Sequence, residues 1–170
     1  MFRLLNKLST SRTPWLVLAA IAVALELFAL WLQHVMLLRP CVMCIYERCA
    51  LFGIMLAGLL GTIASNRTFR IAALALWIYS AWKGLELAWA HAILQLYPSP
   101  FSVCDLAVRF PTWLPFDRLF PQFFVASADC AEIQWTFMTL GTAQWLVGVF
   151  GIFLLIALLT TLAKVWPIQS

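Results

Sequence analysis

The chain alternates long apolar runs with short polar breaks. Four runs stand out, at 15–32, 44–63, 71–90 and 145–163. Each is close to the ~20 residues that an α-helix needs to cross ~30 Å of hydrocarbon. Backbone groups in lipid must find hydrogen-bond partners within their own segment, which makes these runs helices. A β-barrel would instead show short alternating segments. One such run alone would equally suit a buried core helix; four in 170 residues predict an all-α membrane protein. The expected architecture is a four-transmembrane-helix bundle forming one domain over 1–170, with outer loops at about 33–43 and 91–143. The first run has a basic lead, Arg3, Lys7 and Arg12, as a signal peptide has. It also contains Glu26 and runs into Gln33-His34 with no small-residue cleavage site, so it reads as a retained span.

Composition agrees. The hydrophobic fraction is 64% and the charged fraction 11%, against ~25% charged in soluble domains. Too few charges are present to coat a water-facing surface. Their distribution orients the bundle. Arg3, Lys7 and Arg12 precede the first run, Arg67 and Arg70 lie in the short second loop, and Lys164 follows the last run. With four spans these segments share one side, which makes both termini cytoplasmic. Arg39, Arg109 and Arg118 are spread through the longer outer loops. Trp15, Trp31, Trp89, Trp145 and Trp166 mark expected interfaces, whereas Trp77, Tyr79 and Trp82 lie within the third run and read as packing residues. Gly53, Ala57 and Gly61 recur at helical spacing and suit close helix contact. The second outer loop holds Pro98, Pro100, Pro111, Pro115 and Pro121, so a long regular helix is not expected there. Within it, 113–120 suits either a short helix on the membrane surface or a loop packed on helix ends.

The chemistry rests on five cysteines: Cys41, Cys44, Cys49, Cys104 and Cys130. The outer compartment is oxidising and permits disulfides. Location pairs Cys41 with Cys44, and Cys104 with Cys130. Cys41-Val42-Met43-Cys44 has the spacing of a redox dithiol, and so small a ring gains little stability from cross-linking. Cys44 falls at the start of the second span, where the helix dipole favours a thiolate. Arg48 follows four residues later on the same face and could stabilise that thiolate or an anionic acceptor, or else snorkel to the interface. A Cys104–Cys130 bond closes a long loop, which chain entropy credits with about 3.5 kcal/mol. A purely structural disulfide is therefore an open reading; a second disulfide on the same face opens the other, sequential exchange.

Further polar groups need weighing. His91, at the outer end of the third span, suits polarising or protonating a quinone oxygen, or is a wetted helix end. Glu26, Lys83 and Glu86 are candidate buried charges, with Lys83 and Glu86 spaced to pair. Glu47 reads as interfacial. Zinc on the CxxC with Cys104, Cys130, His34 or His91 is disfavoured, because no second CxxC knuckle exists; no metal site is expected. Cys49 reads as a small buried hydrophobe.

The run 31–53, which contains Arg39-Pro40-Cys41-Val42-Met43-Cys44-Ile45-Tyr46-Glu47-Arg48-Cys49, closely resembles the disulfide bond formation protein B family of Gram-negative bacteria. So do Gln95-Leu96-Tyr97-Pro98-Ser99-Pro100-Phe101 leading to Cys104-Asp105, the stretch Val108-Arg109-Phe110-Pro111, and 124–132 around Asp129-Cys130. The resemblance implies a multi-pass bacterial inner-membrane thiol oxidase that binds ubiquinone, or menaquinone without oxygen. It implies that Cys104 forms a mixed disulfide with a thioredoxin-like (DsbA-like) periplasmic oxidase, and that Cys130 is its disulfide partner. Cys41 and Cys44 then re-oxidise that pair, and Cys44 contacts the quinone with help from Arg48 and His91. Some relatives carry a cysteine where this chain has Leu8, outside the relay. Nucleic acid is not an expected partner. The rivals are an anchor whose two disulfides only stiffen its loops, and an oxidoreductase running in reverse. A reverse reaction fed by cytoplasmic thiols is disfavoured, since Cys49 alone lies deeper.

Overall fold

A computed structural model describes residues 12–64, 66–98, 108–110 and 116–165. Four long helices dominate: α1 (Thr13–His34), α2 (Val42–Ile63), α3 (Arg67–Leu96) and α6 (Thr142–Val165). Between α3 and α6 lie two single-turn helices, α4 (Phe116–Leu119) and α5 (Pro121–Phe124). A small antiparallel hairpin of β1 (Thr136–Phe137) and β2 (Leu140–Gly141) follows. Among the described residues, three helices are long and apolar enough to cross a membrane: α1, α2 and α6. Charged side chains within α3, Lys83 and Glu86, dilute its apolar character.

Several sequence expectations are corrected here. The chain is not purely helical, because the hairpin intervenes. The helices outrun the apolar runs. α3 continues through His91 to Leu96, so the second outer loop does not begin at His91. Residues 91–96 remain good helix formers, and the helix ends only at Tyr97, next to Pro98. α2 begins at Val42, two residues ahead of the expected start at Cys44, which therefore sits in its first turn. In the 113–120 stretch, helix forms over Phe116–Leu119; 111–115, with Trp113, lies outside the described residues. Lys83 and Glu86 do pair, at 2.9 Å, but both are exposed on the outside of the bundle and not buried.

α2 packs between α1 and α3, and α3 packs between α2 and α6. Small residues set the spacing. A Cβ on Gly61 would enter the indole of Trp15, one on Gly84 would enter the ring of Phe150, and one on Gly58 would meet the backbone of α1 at Trp15 and Ala19. Ala57 is fully buried in the same core, as the small-residue spacing on α2 predicts. Trp15 is buried, in edge contact with Trp77, and does not lie at an exposed interface. Trp77 is core, but Tyr79 and Trp82 are exposed. Lipid and core are both apolar, so an apolar run does not reveal which face each side chain takes.

Candidate functional site

The site starts where α2 starts. Pro40 precedes Cys41, which takes the extended backbone of an N-cap (φ −87°, ψ 170°). Its Sγ accepts a hydrogen bond from the Cys44 N–H at 3.2 Å, the role a serine or aspartate oxygen plays at other helix starts. The two sulfurs lie 2.7 Å apart, and both cysteines are free. Location does pair Cys41 with Cys44, but here as neighbouring thiols. The Cys44 thiol hydrogen-bonded to it, with the Cys44 N–H behind, holds the Cys41 thiol below its ordinary value against the opposing push of burial. This departs from the sequence reading. The sulfur seated on the helix N-terminus is that of Cys41, one turn before Cys44.

His91 reaches this pair from α3. It is 1% exposed. Its Nε2 lies 3.6 Å from Cys41 Sγ and its Nδ1 lies 2.9 Å from Glu47 Oε1. The amide nitrogen of Gln95, one turn along α3, faces Nε2 at 3.2 Å. Glu47 is 1% exposed, which corrects its reading as interfacial: it is a buried partner of the histidine.

Arg48 points the other way, toward α1. It donates to Gln33 Oε1 at 3.0 Å and to the main-chain oxygen of Phe123 in α5 at 2.9 Å. It pairs with Glu26 at 3.5 Å, both side chains being buried. Glu26 is thus a buried charge with a partner. Consecutive helical residues point ~100° apart, which is why Glu47 and Arg48 serve different neighbours.

The segment between α5 and β1 closes the site. Ser127 N–H and Ala128 N–H donate to Pro40 O at 2.9 and 3.3 Å, and Ala128 bridges Cys41 in parallel. Arg39 N–H donates to Gln134 Oε1 at 2.9 Å. These bonds seat Cys130, fully buried and in a disulfide, in one cluster with Cys41 and Val42, against Cys44 and Tyr46. Cys104 lies outside the described residues. The structure therefore brings Cys41, Cys44, Cys130 and His91 together, with Arg48 on the adjoining wall.

That wall belongs to a cavity of about 650 Å³. Few contacts join α1 and α6, and the cavity occupies the space between them. Leu25, Leu32, Leu51, Leu146 and Val149 supply apolar lining; Cys41, Cys44, Glu47, Arg48, His91 and Gln95 supply the polar end. Phe28, Trp31, Trp135, Phe137 and Trp145 also line it, with Phe137 stacked on Trp135 and tilted against Trp145. Gln33 and Gln95 lie in stretches that carry the family resemblance, yet nothing in those stretches assigns them to a cavity; Trp31 and Trp145 read only as interface residues, and Phe28, Trp135 and Phe137 carry no signal. Glu26 is signalled by its charge within an apolar run, and Glu47 by falling one turn after Cys44.

The fold also bears on metals. Ligand atoms of Cys41, Cys44 and His91 lie within 4.8 Å of one another, a set that does not use the knuckle spacing weighed in the sequence. Two thiolates on one tetrahedral zinc stand roughly 3.8 Å apart, wider than the 2.7 Å seen here. Cys49 is half-buried and free, and His34 is exposed, bonded to Leu30 O.

Membrane-length apolar helices that hold a CxxC pair against a second, disulfide-bonded cysteine give the chain the architecture of a membrane protein built around thiol–disulfide chemistry. Comparison with known proteins gives the family. The model described as disulfide bond formation protein DsbB matches residues 11–160. Disulfide bond formation protein B of Salmonella typhimurium is 56% identical over 96% of this chain and 93% of its own length. The proteins of that name from Yersinia enterocolitica and Escherichia coli K12 are 57% and 55% identical over the same shares. The chain belongs to the DsbB family, and its role is in disulfide bond formation.

Proposed function

We propose that the chain is a quinone-linked thiol oxidase of the bacterial inner membrane, crossing it four times, with α3 as the fourth span and both termini in the cytoplasm. The observation that carries this reading is the free Cys41/Cys44 pair on the wall of an apolar cavity that also presents Arg48 and His91. The lining fits a quinone. Leucines and aromatics suit a ring and an isoprenoid tail, and Arg48 and His91 suit its oxygens. Two buried oxygens, Glu47 Oε2 and Gln95 Oε1, have no hydrogen-bond partner among the described residues and sit at the polar end. A bound ubiquinone, or menaquinone without oxygen, supplies an acceptor for two electrons and two protons.

The chain's own residues do the rest. A reduced thioredoxin-like (DsbA-like) periplasmic oxidase attacks Cys104 of a Cys104–Cys130 disulfide, and its second cysteine resolves the mixed disulfide. Cys130, held against Cys41 by the Pro40 bridge, passes the electrons to the Cys41–Cys44 disulfide by thiol exchange. Cys44, in the first turn of α2, faces the cavity and hands them on, while Arg48 offers positive charge beside it. Loop-stiffening disulfides alone would give no reason to set the Cys41/Cys44 pair on the wall of an apolar cavity beside Arg48 and His91.

The test is ubiquinone reduction by purified protein in detergent, supplied with a reduced thioredoxin-like partner. Turnover by the wild type that is lost in both Cys44→Ser and Cys104→Ser is the expected result. An intact wild type that reduces no quinone, across several partners and quinones, overturns the reading.

A further inference from the structure

Glu47 has no part in the relay described so far, yet it is a carboxylate 1% exposed inside a membrane protein. We infer that Glu47 is a positioning residue that holds His91 as the proton acceptor for the Cys41 thiol, so that α2 and α3 carry a buried cysteine–histidine–glutamate relay. The inference deepens the thiol-oxidase reading and rests on it.

The geometry orders the three groups in a line. Glu47 Oε1 lies 2.9 Å from His91 Nδ1, and His91 Nε2 lies 3.6 Å from Cys41 Sγ. A carboxylate only accepts, so Nδ1 carries the hydrogen. The Gln95 amide nitrogen only donates, and at 3.2 Å from Nε2 it leaves that nitrogen as an acceptor. The imidazole is thus the neutral tautomer, and its Nε2 lone pair, shared between the Gln95 N–H and the Cys41 thiol, can take the thiol proton. The step moves one proton and no electrons: the Cys41 S–H bond breaks, the His91 Nε2–H bond forms, and the new imidazolium lies against the Glu47 carboxylate. Cys130 packs in one cluster with Cys41, which brings the base close to the cysteine that attacks Cys41 or leaves it. A carboxylate behind a histidine fixes both its tautomer and its charge, as in serine and cysteine hydrolases.

The sign of one measurement separates this role from a merely structural one. Glu47 is an anion near Cys41. If it acted only through its charge, removing it would favour the Cys41 thiolate and speed its alkylation. If it acts through His91, removing it deprives the thiolate of its imidazolium partner and slows alkylation. The experiment labels fully reduced, quinone-free full-length protein with iodoacetamide and follows each cysteine by mass spectrometry, with Cys49 as the internal reference. Glu47→Gln is expected to slow Cys41 labelling about tenfold, with Cys49 unchanged. Glu47→Asp is expected to fall between. Cys41 labelling that is unchanged or faster in Glu47→Gln, with Cys49 unchanged, overturns the inference. If Glu47→Gln loosens the fold, seen as faster Cys49 labelling, Glu47→Asp decides: slower Cys41 labelling supports the relay, and unchanged labelling overturns it. No quinone is present, so failure of the wild type to reduce quinone would sink the oxidase reading by a separate result.

Discussion

Glu26 and Arg48 form a charge pair inside the bundle, and its removal has a calculable cost. Their side chains are 6% and 7% exposed, with Oε2 and Nε 3.5 Å apart. Neither Glu26 oxygen has a hydrogen bond among the described residues, so the attraction is Coulombic. Unit charges at that distance attract by about 5 kcal/mol at an effective dielectric constant near 20. Glu26→Gln keeps the shape and removes one charge. Arg48 retains its neutral acceptors, Gln33 Oε1 and Phe123 O, which offset part of the loss. The expected destabilisation is about 3 kcal/mol, at the low end for a buried pair broken on one side. For a chain of this length that lowers the midpoint by about 6–12 °C. Far-ultraviolet circular dichroism of the purified protein in detergent reads it. Arg48→Met alone should cost at least as much, because it strands Glu26 and frees the α5 carbonyl. The Glu26→Gln/Arg48→Met double variant should be less unstable than the sum of the two by ~2 kcal/mol. A Glu26→Gln midpoint within ~2 °C of the wild type, or strictly additive losses, would refute the reasoning.

Three shorter predictions follow from the same geometry. Cys44→Ser/Cys104→Ser leaves Cys41 and Cys130 packed in one cluster, and is expected to trap a Cys41–Cys130 disulfide between the outer segments, seen as a cross-linked peptide; recovery of both as free thiols under oxidation would contradict the proposed exchange. The Cys41 thiol is held below its ordinary value chiefly by the Cys44 thiol. A depressed value keeps the thiolate to lower pH, so the alkylation rate of Cys41 should inflect below the ~8.5 of a free thiol, and Cys44→Ala should move the inflection up. A Cβ at Gly84 would enter the Phe150 ring between α3 and α6, so Gly84→Ala should cost about 1–3 kcal/mol; Gly84→Ala/Phe150→Leu should recover part of that in the same thermal assay.

The helices were legible because the bilayer imposes a length. Runs near 20 apolar residues have few other uses, and all four runs lie within observed helices. What the runs do not encode is orientation. Trp77 and Trp82 both read as packing residues, yet Trp77 is buried and Trp82 is exposed, and Trp15, read as an interface residue, is buried, because lipid and core offer the same environment. The hairpin was illegible for a different reason. Its turn residues, Met138 and Thr139, both have positive φ, 49° and 69°, where Asn-Gly is the usual signal. Neither residue announces such a turn. The CxxC was legible from spacing, and so was the proximity of Arg48. Which sulfur caps the helix was within reach, since Pro40-Cys41 stands where an N-cap residue belongs, but the dipole argument alone favoured Cys44.

The first two turns of α2 explain why so little sequence carries so much of the site. Cys41 caps the helix, Cys44 lies one turn on, and Glu47 and Arg48 follow within the next turn. A helix advances ~100° per residue, so Glu47 turns toward α3, where His91 waits, and Arg48 turns toward α1, where Glu26 and Gln33 wait. Each buried charge thereby meets an opposite group on a different helix: a negative carboxylate with a histidine on one flank, a positive guanidinium with a carboxylate on the other. The thiols sit between a flank that can take a proton and a flank that can hold negative charge. Those are the two demands of oxidising a dithiol away from water. A one-residue shift of register in this segment would send both charges to the wrong neighbours while leaving the apolar core of α2 almost unchanged. The partners on α1 and α3, more than the hydrophobic pattern, therefore fix the rotation of α2.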